Sequence, residues 1–327
     1  MKHKGIFFIS AFSFLLLLAS CEKVLDVEPD DAQLVLNGVP SEGRRAFVNF
    51  SYTHFFLDTL NAHPVSGASM TLTVNGVPYS PDSIAGCNYF FPPVLQADDQ
   101  LQIDIDAAGH HVKSQTYIPR PPDIRNMDVK YFESSSFNFY LAGFTLADHP
   151  DYADFYNLSV MVRDSGMRYN EWLDTVELVD TTYKTYFIVT ENKITAPDVC
   201  PYIPLGGYLY SQLMFLDRNI EGEDQPVGLY IMKLVDTNEI APFKHWYTIS
   251  AETLTPARWN YLLSAATANS MTSFFAEQGQ AFSNVTVDGN PGLGIFAGNA
   301  RYKYTFDVDS IADTVHMPFG KWDFPVR

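Results

Sequence analysis

Cysteine is scarce in this chain: three residues, Cys21, Cys87 and Cys200, among 327. Neither interval has a zinc-ligand spacing. Positive charge is also in short supply. There are 21 Lys and Arg against 38 Asp and Glu, a net charge of −17. That excludes a nucleic-acid partner, because phosphate binding needs clustered cations. Beyond the extreme N-terminus no long apolar run exists, so no further membrane span is available. The sequence has no H-E-x-x-H and no G-x-S-x-G, which removes the zincin and α/β-hydrolase patterns. What the chain does have is 46% apolar residues, enough for a packed core, and 15% aromatics, which favour strands. Its length suggests about two domains.

Lys2 and Lys4 precede an apolar run over residues 6–19. At ~1.5 Å per residue this run falls well short of the ~30 Å hydrocarbon core, so it reads as a secretory signal and not as a span. Leu18-Ala19-Ser20-Cys21 then reads as a lipobox, the pattern of bacterial lipoproteins. Proteins with that pattern are cut before the Cys, the thiol takes a diacylglycerol, and the new amino group takes a further acyl chain such as palmitate. Lipidation is therefore expected at Cys21, with the membrane as a partner through that anchor. Each buried CH₂ contributes ~0.8 kcal/mol, and stable attachment takes more than one chain. Cleavage would leave 307 residues and a net charge of −19, because Lys2 and Lys4 go. Such a body is repelled by anionic headgroups and is expected to stand off the bilayer. Residues 21–31 read as an acidic tether of roughly 35–40 Å when extended. Acidic residues just after the lipidated Cys resemble the surface-export signal of Bacteroidota-type lipoproteins, interrupted here by Lys23 and Val24. The expected location is the outer membrane, at the cell surface in preference to the periplasmic face.

Residues 32–120 read as a first domain. Residues 46–52, 70–74 and 101–106 alternate apolar and polar, the period of half-buried strands. Asn75-Gly76 is a hairpin signal, and residues 112–118 would return after Gly109. Short alternating strands fit an antiparallel β-sandwich, Ig- or transthyretin-like. Pro119-Arg120-Pro121-Pro122 stiffens the chain and marks a boundary. Residues 123–327 read as a larger β-rich domain with one or two helices. Its expected strands include 126–131, 138–145, 156–163 (closed by Asp164-Ser165-Gly166), 185–190, 227–234 and 302–308. Thr255-Pro256 is a helix start, followed by Trp259, Leu262, Leu263 and Ala266 at helical spacing. The predicted helix covers residues 256–269, with an amphipathic continuation through Phe274, Phe275 and Ala276.

Few motifs point to chemistry. Gly292-Leu293-Gly294-Ile295-Phe296-Ala297-Gly298 mimics a dinucleotide fingerprint, but its spacing is one residue too long and a strand pattern follows where a helix is required. Its glycines are expected to serve a turn and close backbone packing. Cys87 and Cys200 lie far apart in sequence and are expected to be separate buried thiols, although an exported chain permits a bridge. His110-His111 are neighbours in a turn, expected to point to different sides and not to share a metal. Three acidic clusters stand out: residues 148–154, residues 219–224, and Asp307, Asp309 and Asp313. None has EF-hand spacing, and each is expected to be a solvated loop or turn. Trp172, Tyr202, Tyr208 and Tyr210 are the aromatics considered for a sugar or peptide, with the core as their commoner fate. No catalytic residue, metal ligand or cofactor emerges.

Several segments together resemble one family: Cys21-Glu22-Lys23-Val24, Leu34-Val35-Leu36-Asn37-Gly38, Pro64-Val65-Ser66-Gly67-Ala68, Phe274-Phe275-Ala276-Glu277 and Pro291-Gly292-Leu293-Gly294-Ile295-Phe296-Ala297-Gly298. They look like the Bacteroidota lipoproteins of "domain of unknown function 4249". Gln278-Gly279-Gln280 departs from the pattern, where a Pro-containing segment is usual. The resemblance implies an outer-membrane lipoprotein encoded near TonB-dependent receptors, with such a receptor as partner and an accessory role in ligand capture or import. It implies no catalytic residues. The expected function is therefore non-enzymatic. Its rivals are a surface hydrolase of glycans or peptides and an adhesin- or pilus-type structural component, the latter requiring a donated strand or open groove.

Overall fold

The computed structural model describes residues 32–53, 63–133, 138–149, 154–170, 173–189, 193–195, 210–233, 239–268, 281–311 and 314–316. The leader, Cys21, the tether, Trp172, Cys200, Tyr202, Tyr208 and residues 274–276 lie outside them. The chain is mainly β, with several antiparallel sheets. Its strands are β1 (Leu34–Gly38), β2 (Arg45–Tyr52), β3 (His63–Pro64), β4 (Ser69–Val74), β5 (Val77–Tyr79), β6 (Ser83–Ala85), β7 (Asn88–Val94), β8 (Gln100–Ala107) and β9 (His110–Tyr117) in the first half. There follow β10 (Asp123–Glu133), β11 (Asn138–Ala147), β12 (Phe155–Asn170), β13 (Thr175–Thr185), β14 (Phe187–Val189), β15 (Gln212–Leu216), β16 (Asp224–Met232) and β17 (Glu239–Leu254). After the helix α1 (Pro256–Ala268) come β18 (Thr286–Val287), β19 (Asn290–Pro291), β20 (Leu293–Phe296), β21 (Asn299–Asp307) and β22 (Thr314–His316).

Two sheets make a first sandwich, in the orders β20-β1-β2-β7-β6 (with β3 beside β2) and β19-β18-β9-β8-β4-β5. Period-two alternation builds it. In β8, Leu101, Ile103 and Ile105 are buried while Gln100, Gln102 and Asp104 face outward. They meet Leu36, Val48, Phe50 and Phe91 from the opposite sheet in one core. Asn75 and Gly76 both take positive φ, 51° and 82°, as the tight hairpin between β4 and β5 requires.

Two further sheets, β14-β16-β11-β10-β22 and β13-β12-β17-β21, enclose a second core of Tyr140, Phe144, Val160, Val162, Leu229, Tyr247 and Ile249. β13 and β15 share one flank of β12, and β17 runs along the other. The strand expected to close at Asp164-Ser165-Gly166 continues to Asn170. A register shift between Ser165 and Met167 absorbs the break as a bulge, so β12 and β13 form a long hairpin. The helix begins where expected. Thr255 Oγ1 accepts from the Arg258 N–H at 3.4 Å, and Trp259 packs on Met214 and Leu254. No helix among the described residues is long and apolar enough to cross a membrane.

Division of the chain at Pro119–Pro122 assigns everything beyond to the second domain. The strand pairing differs for residues 286–296: β18 pairs with β9, and β20 runs parallel to β1. This stretch completes both sheets of the first sandwich. Alternation specifies a buried face but not the sheet that receives it. From β20 the chain passes through Ala297 and Gly298 alone before entering β21 of the second sandwich.

Candidate binding groove at the sandwich junction

The junction is built from the glycine-rich segment. Gly294 has φ +104°, and a Cβ there would lie 2.7 Å from the carbonyl carbon of Leu36. Gly298 sits against Tyr117, where a Cβ would lie 2.9 Å from the carbonyl carbon and closer still to the oxygen. Only glycine allows these backbones to approach. The polar groups of the crossing are paired: Ala297 N–H donates to Gly38 O (3.1 Å), Gly298 N–H to Thr116 Oγ1 (3.0 Å), Asn299 N–H to Pro40 O (3.0 Å) and Thr255 N–H to Gly298 O (3.2 Å). The segment is a structural clasp, with strand and not helix after it.

The clasp holds the start of α1 beside the outer face of β4, β8 and β9, leaving a cavity of about 560 Å³. Its floor is set by strand register. Thr73 lies opposite Gln102, which lies opposite Gln115, so the three form a row across three strands. Neighbours in such a row are separated by the ~4.8 Å strand spacing. Two residues along, Gln100 lies opposite Tyr117. Thr255, Pro256 and Ala257 form the wall. Gln102 Nε2 donates to Asp104 Oδ2 at 2.6 Å and Gln100 Nε2 to the Asp98 carbonyl at 3.4 Å, which leaves their oxygens as acceptors. Burial, and then the charge of Asp154, raise the Tyr117 hydroxyl above its ordinary range, so it stays a neutral donor. No lining residue carries a formal charge. The groove can therefore hydrogen-bond and stack; its lining holds no nucleophile with a base.

The titratable groups gather elsewhere. The first two acidic clusters of the sequence meet in space. Gly222 N–H donates to Asp148 Oδ2 (2.9 Å), Asp154 N–H donates to Asp217 Oδ2 (2.5 Å), and the Tyr156 hydroxyl is 3.0 Å from both Asp148 and Asp154. Burial foremost, with the charges of Asp148 and Asp217, pushes Asp154 up to about 6, against the opposing effect of the Tyr156 hydrogen bond. Burial also raises Asp217. Of the third cluster, Asp307 Oδ1 accepts from the Asp309 N–H at 3.0 Å, and Asp313 lies outside the described residues. No group of three or more His, Cys, Asp or Glu among the described residues is placed to hold a metal ion.

His110 and His111 go to separate carboxylates, Asp288 at 2.7 Å and Asp106 at 2.9 Å. Cys87 is a buried free thiol. Tyr210 belongs to the second core, with its ring 6.2 Å from that of Phe187. Sequence reading passed over the groove because Thr73, Gln102 and Gln115 look like the solvated faces of three separate strands. Their one signal was the uncharged character of those polar positions, and only the register aligns them.

No curated protein matches the chain. Among solved structures, the apo structure of Bacteroides uniformis beta-glucuronidase 3 is similar at 11% identity with a TM-score of 0.20, over 68% of this chain and 23% of that one. The chain thus spans less than a quarter of that protein's length, and a likeness at this score carries no argument. The family model described as "Domain of unknown function (DUF4249)" matches residues 22–305, most of the chain, and the chain belongs to that family.

Proposed function

We propose that this chain is a non-enzymatic outer-membrane lipoprotein, moored through an acylated Cys21 and displayed at the cell surface, that captures a ligand for import with a TonB-dependent receptor. The observation that carries the reading is the groove between the two sandwiches, whose lining offers hydrogen-bonding amides and hydroxyls and an aromatic ring without a formal charge. Such a site is suited to holding a ligand and releasing it unchanged. The lipobox supports the anchor, and the acidity of the body supports a stance away from the bilayer.

Two measurements test it. Purification of the intact lipoprotein from outer membrane in mild detergent should recover a large β-barrel receptor; recovery of the chain alone as a monomer would count against the partnership. A Cys21→Ser variant should be soluble in the periplasm, and persistent membrane association of that variant would remove the anchor from the account.

A further inference from the structure

We infer that the groove takes an uncharged, hydroxyl-rich ligand of the neutral oligosaccharide class, read by the carboxamides of Gln102 and Gln115 and seated against the ring of Tyr117. This identification rests on the capture reading above and narrows it to a ligand class.

A carboxamide presents an acceptor and two donors in one plane, which matches a pair of neighbouring hydroxyls. Here two carboxamides face one another across β8 and β9, with the Thr73 hydroxyl continuing the row. The Gln115 carbonyl accepts from Asn284 Nδ2 at 3.3 Å, but its side-chain carboxamide has no protein hydrogen-bond partner among the described residues, and Gln102 keeps its oxygen available. Tyr117 is half-buried two residues along, so its ring lies beside the row, as an aromatic face beside a sugar ring requires. The wall adds a donor: Pro256 has no N–H, and the Ala257 N–H in the first turn of α1 has no acceptor within the helix.

The lining also discriminates. A charged ligand would lose hydration and meet no countercharge in the groove. An apolar ligand would strand the amides, and an unmatched polar group is costly. A peptide that binds by strand addition needs a sheet edge, whereas the floor here is a sheet face that offers side chains. The cavity of about 560 Å³ falls within the ~300–1,000 Å³ typical of ligand pockets.

The test uses the full mature chain in detergent. Calorimetric titration would employ neutral xylo-, malto-, cello- and manno-oligosaccharides, with oligogalacturonate and mixed tripeptides as contrasting probes. At least one neutral oligosaccharide should bind. The Gln102→Ala/Gln115→Ala double variant, altered only on an outer face, should keep its melting temperature and lose roughly tenfold or more in affinity. Tyr117→Phe should retain most of the binding and Tyr117→Ala should not. Failure of every neutral probe, or affinity unchanged in the double variant, overturns the assignment. If oligogalacturonate or a tripeptide binds in a Gln102- and Gln115-dependent way, the ligand class falls and capture stands. If a neutral oligosaccharide binds through these residues but no receptor copurifies, the import partnership falls and the ligand class stands.

Discussion

Gly298 and Tyr117 bring the two sandwiches into backbone contact: a Cβ on Gly298 would lie 2.9 Å from the Tyr117 carbonyl carbon and 3.4 Å from the Ile118 Cα. Both neighbours are main chain, so no rotamer change relieves the overlap. Gly298→Ala should destabilise the protein by about 3 kcal/mol, at the upper end of overpacking. Gly143 in β11 is the control, because a Cβ there meets nothing within 4 Å. Gly143→Ala should change stability by no more than about 1 kcal/mol. Urea denaturation of the two variants checks the contrast; equal effects would show that the clasp is not tight.

Tyr156 has one hydroxyl proton and two carboxylates at 3.0 Å, Asp148 and Asp154. When Asp154 is protonated, it donates to the Tyr156 oxygen while Tyr156 donates to Asp148, and all three are satisfied. Asp154 rises from 3.8 in its ordinary state to about 6 in the fold. Between those values the folded chain binds more protons than the unfolded one, so this group makes stability fall as pH rises from about 4 to 6. Asp154→Asn keeps an acceptor for Tyr156 and removes the titration. The variant should show a shallower decline over that interval and exceed the wild type in stability above pH 6. Denaturation midpoints from pH 4 to 8 decide it; parallel curves would refute the shared-proton arrangement.

Glu252 is a buried anion at the same junction. It accepts from Asn157 Nδ2 at 2.9 Å and Asn299 Nδ2 at 3.4 Å, and pairs with Arg301. Arg258 lies close enough for Glu252 to support its charge, while burial foremost and Arg301 work against it. Glu252→Gln removes the anion that supports Arg258, Arg301 and Lys303 and leaves these cations to repel one another. The expected loss is about 2 kcal/mol, because Glu252 is buried but the Arg301 side chain that it pairs with is 36% exposed. Arg258→Met takes away one cation and keeps a long apolar stem, so the loss caused by Glu252→Gln should shrink in the Arg258→Met background. A double-mutant cycle reads that coupling directly.

The strands were legible where one face is buried. Leu101, Ile103 and Ile105 alternate with Gln and Asp, and the core needs nothing else to find them. Thr255 and Pro256 marked the start of α1 because capping and the missing Pro N–H act locally. The long reach of β12 was hidden, since Asp164-Ser165-Gly166 reads as a turn and becomes a bulge only when β17 lies alongside. The return of residues 286–296 to the first sandwich was hidden for a similar reason: which sheet receives a strand is decided by long-range packing against Leu36 and Tyr117. The groove is a product of register, and register between strands distant in sequence leaves no local trace in Thr73, Gln102 or Gln115.

His245 stands between two carboxylates at the end of the second core. Its Nδ1 is 2.8 Å from Asp164 Oδ1 and its Nε2 is 3.2 Å from Glu239 Oε2. Asp164 is 3% exposed and also accepts from the Tyr183 hydroxyl at 2.9 Å. His245→Phe preserves a ring against Phe243, whose centroid is 5.1 Å away, and deletes both polar contacts. Asp164 then keeps Tyr183, and Arg168 Nη2 at 3.8 Å, but loses its closest nitrogen, and a buried carboxylate left short of a hydrogen bond costs about 2 kcal/mol. Adding Asp164→Asn removes the buried charge while leaving an oxygen for Tyr183. The double variant should therefore be more stable than His245→Phe alone, even though it carries one more substitution. Urea midpoints at neutral pH measure this order. A double variant less stable than the single one would mean that Asp164 is held chiefly by Tyr183 and Arg168, and that His245 contributes packing alone.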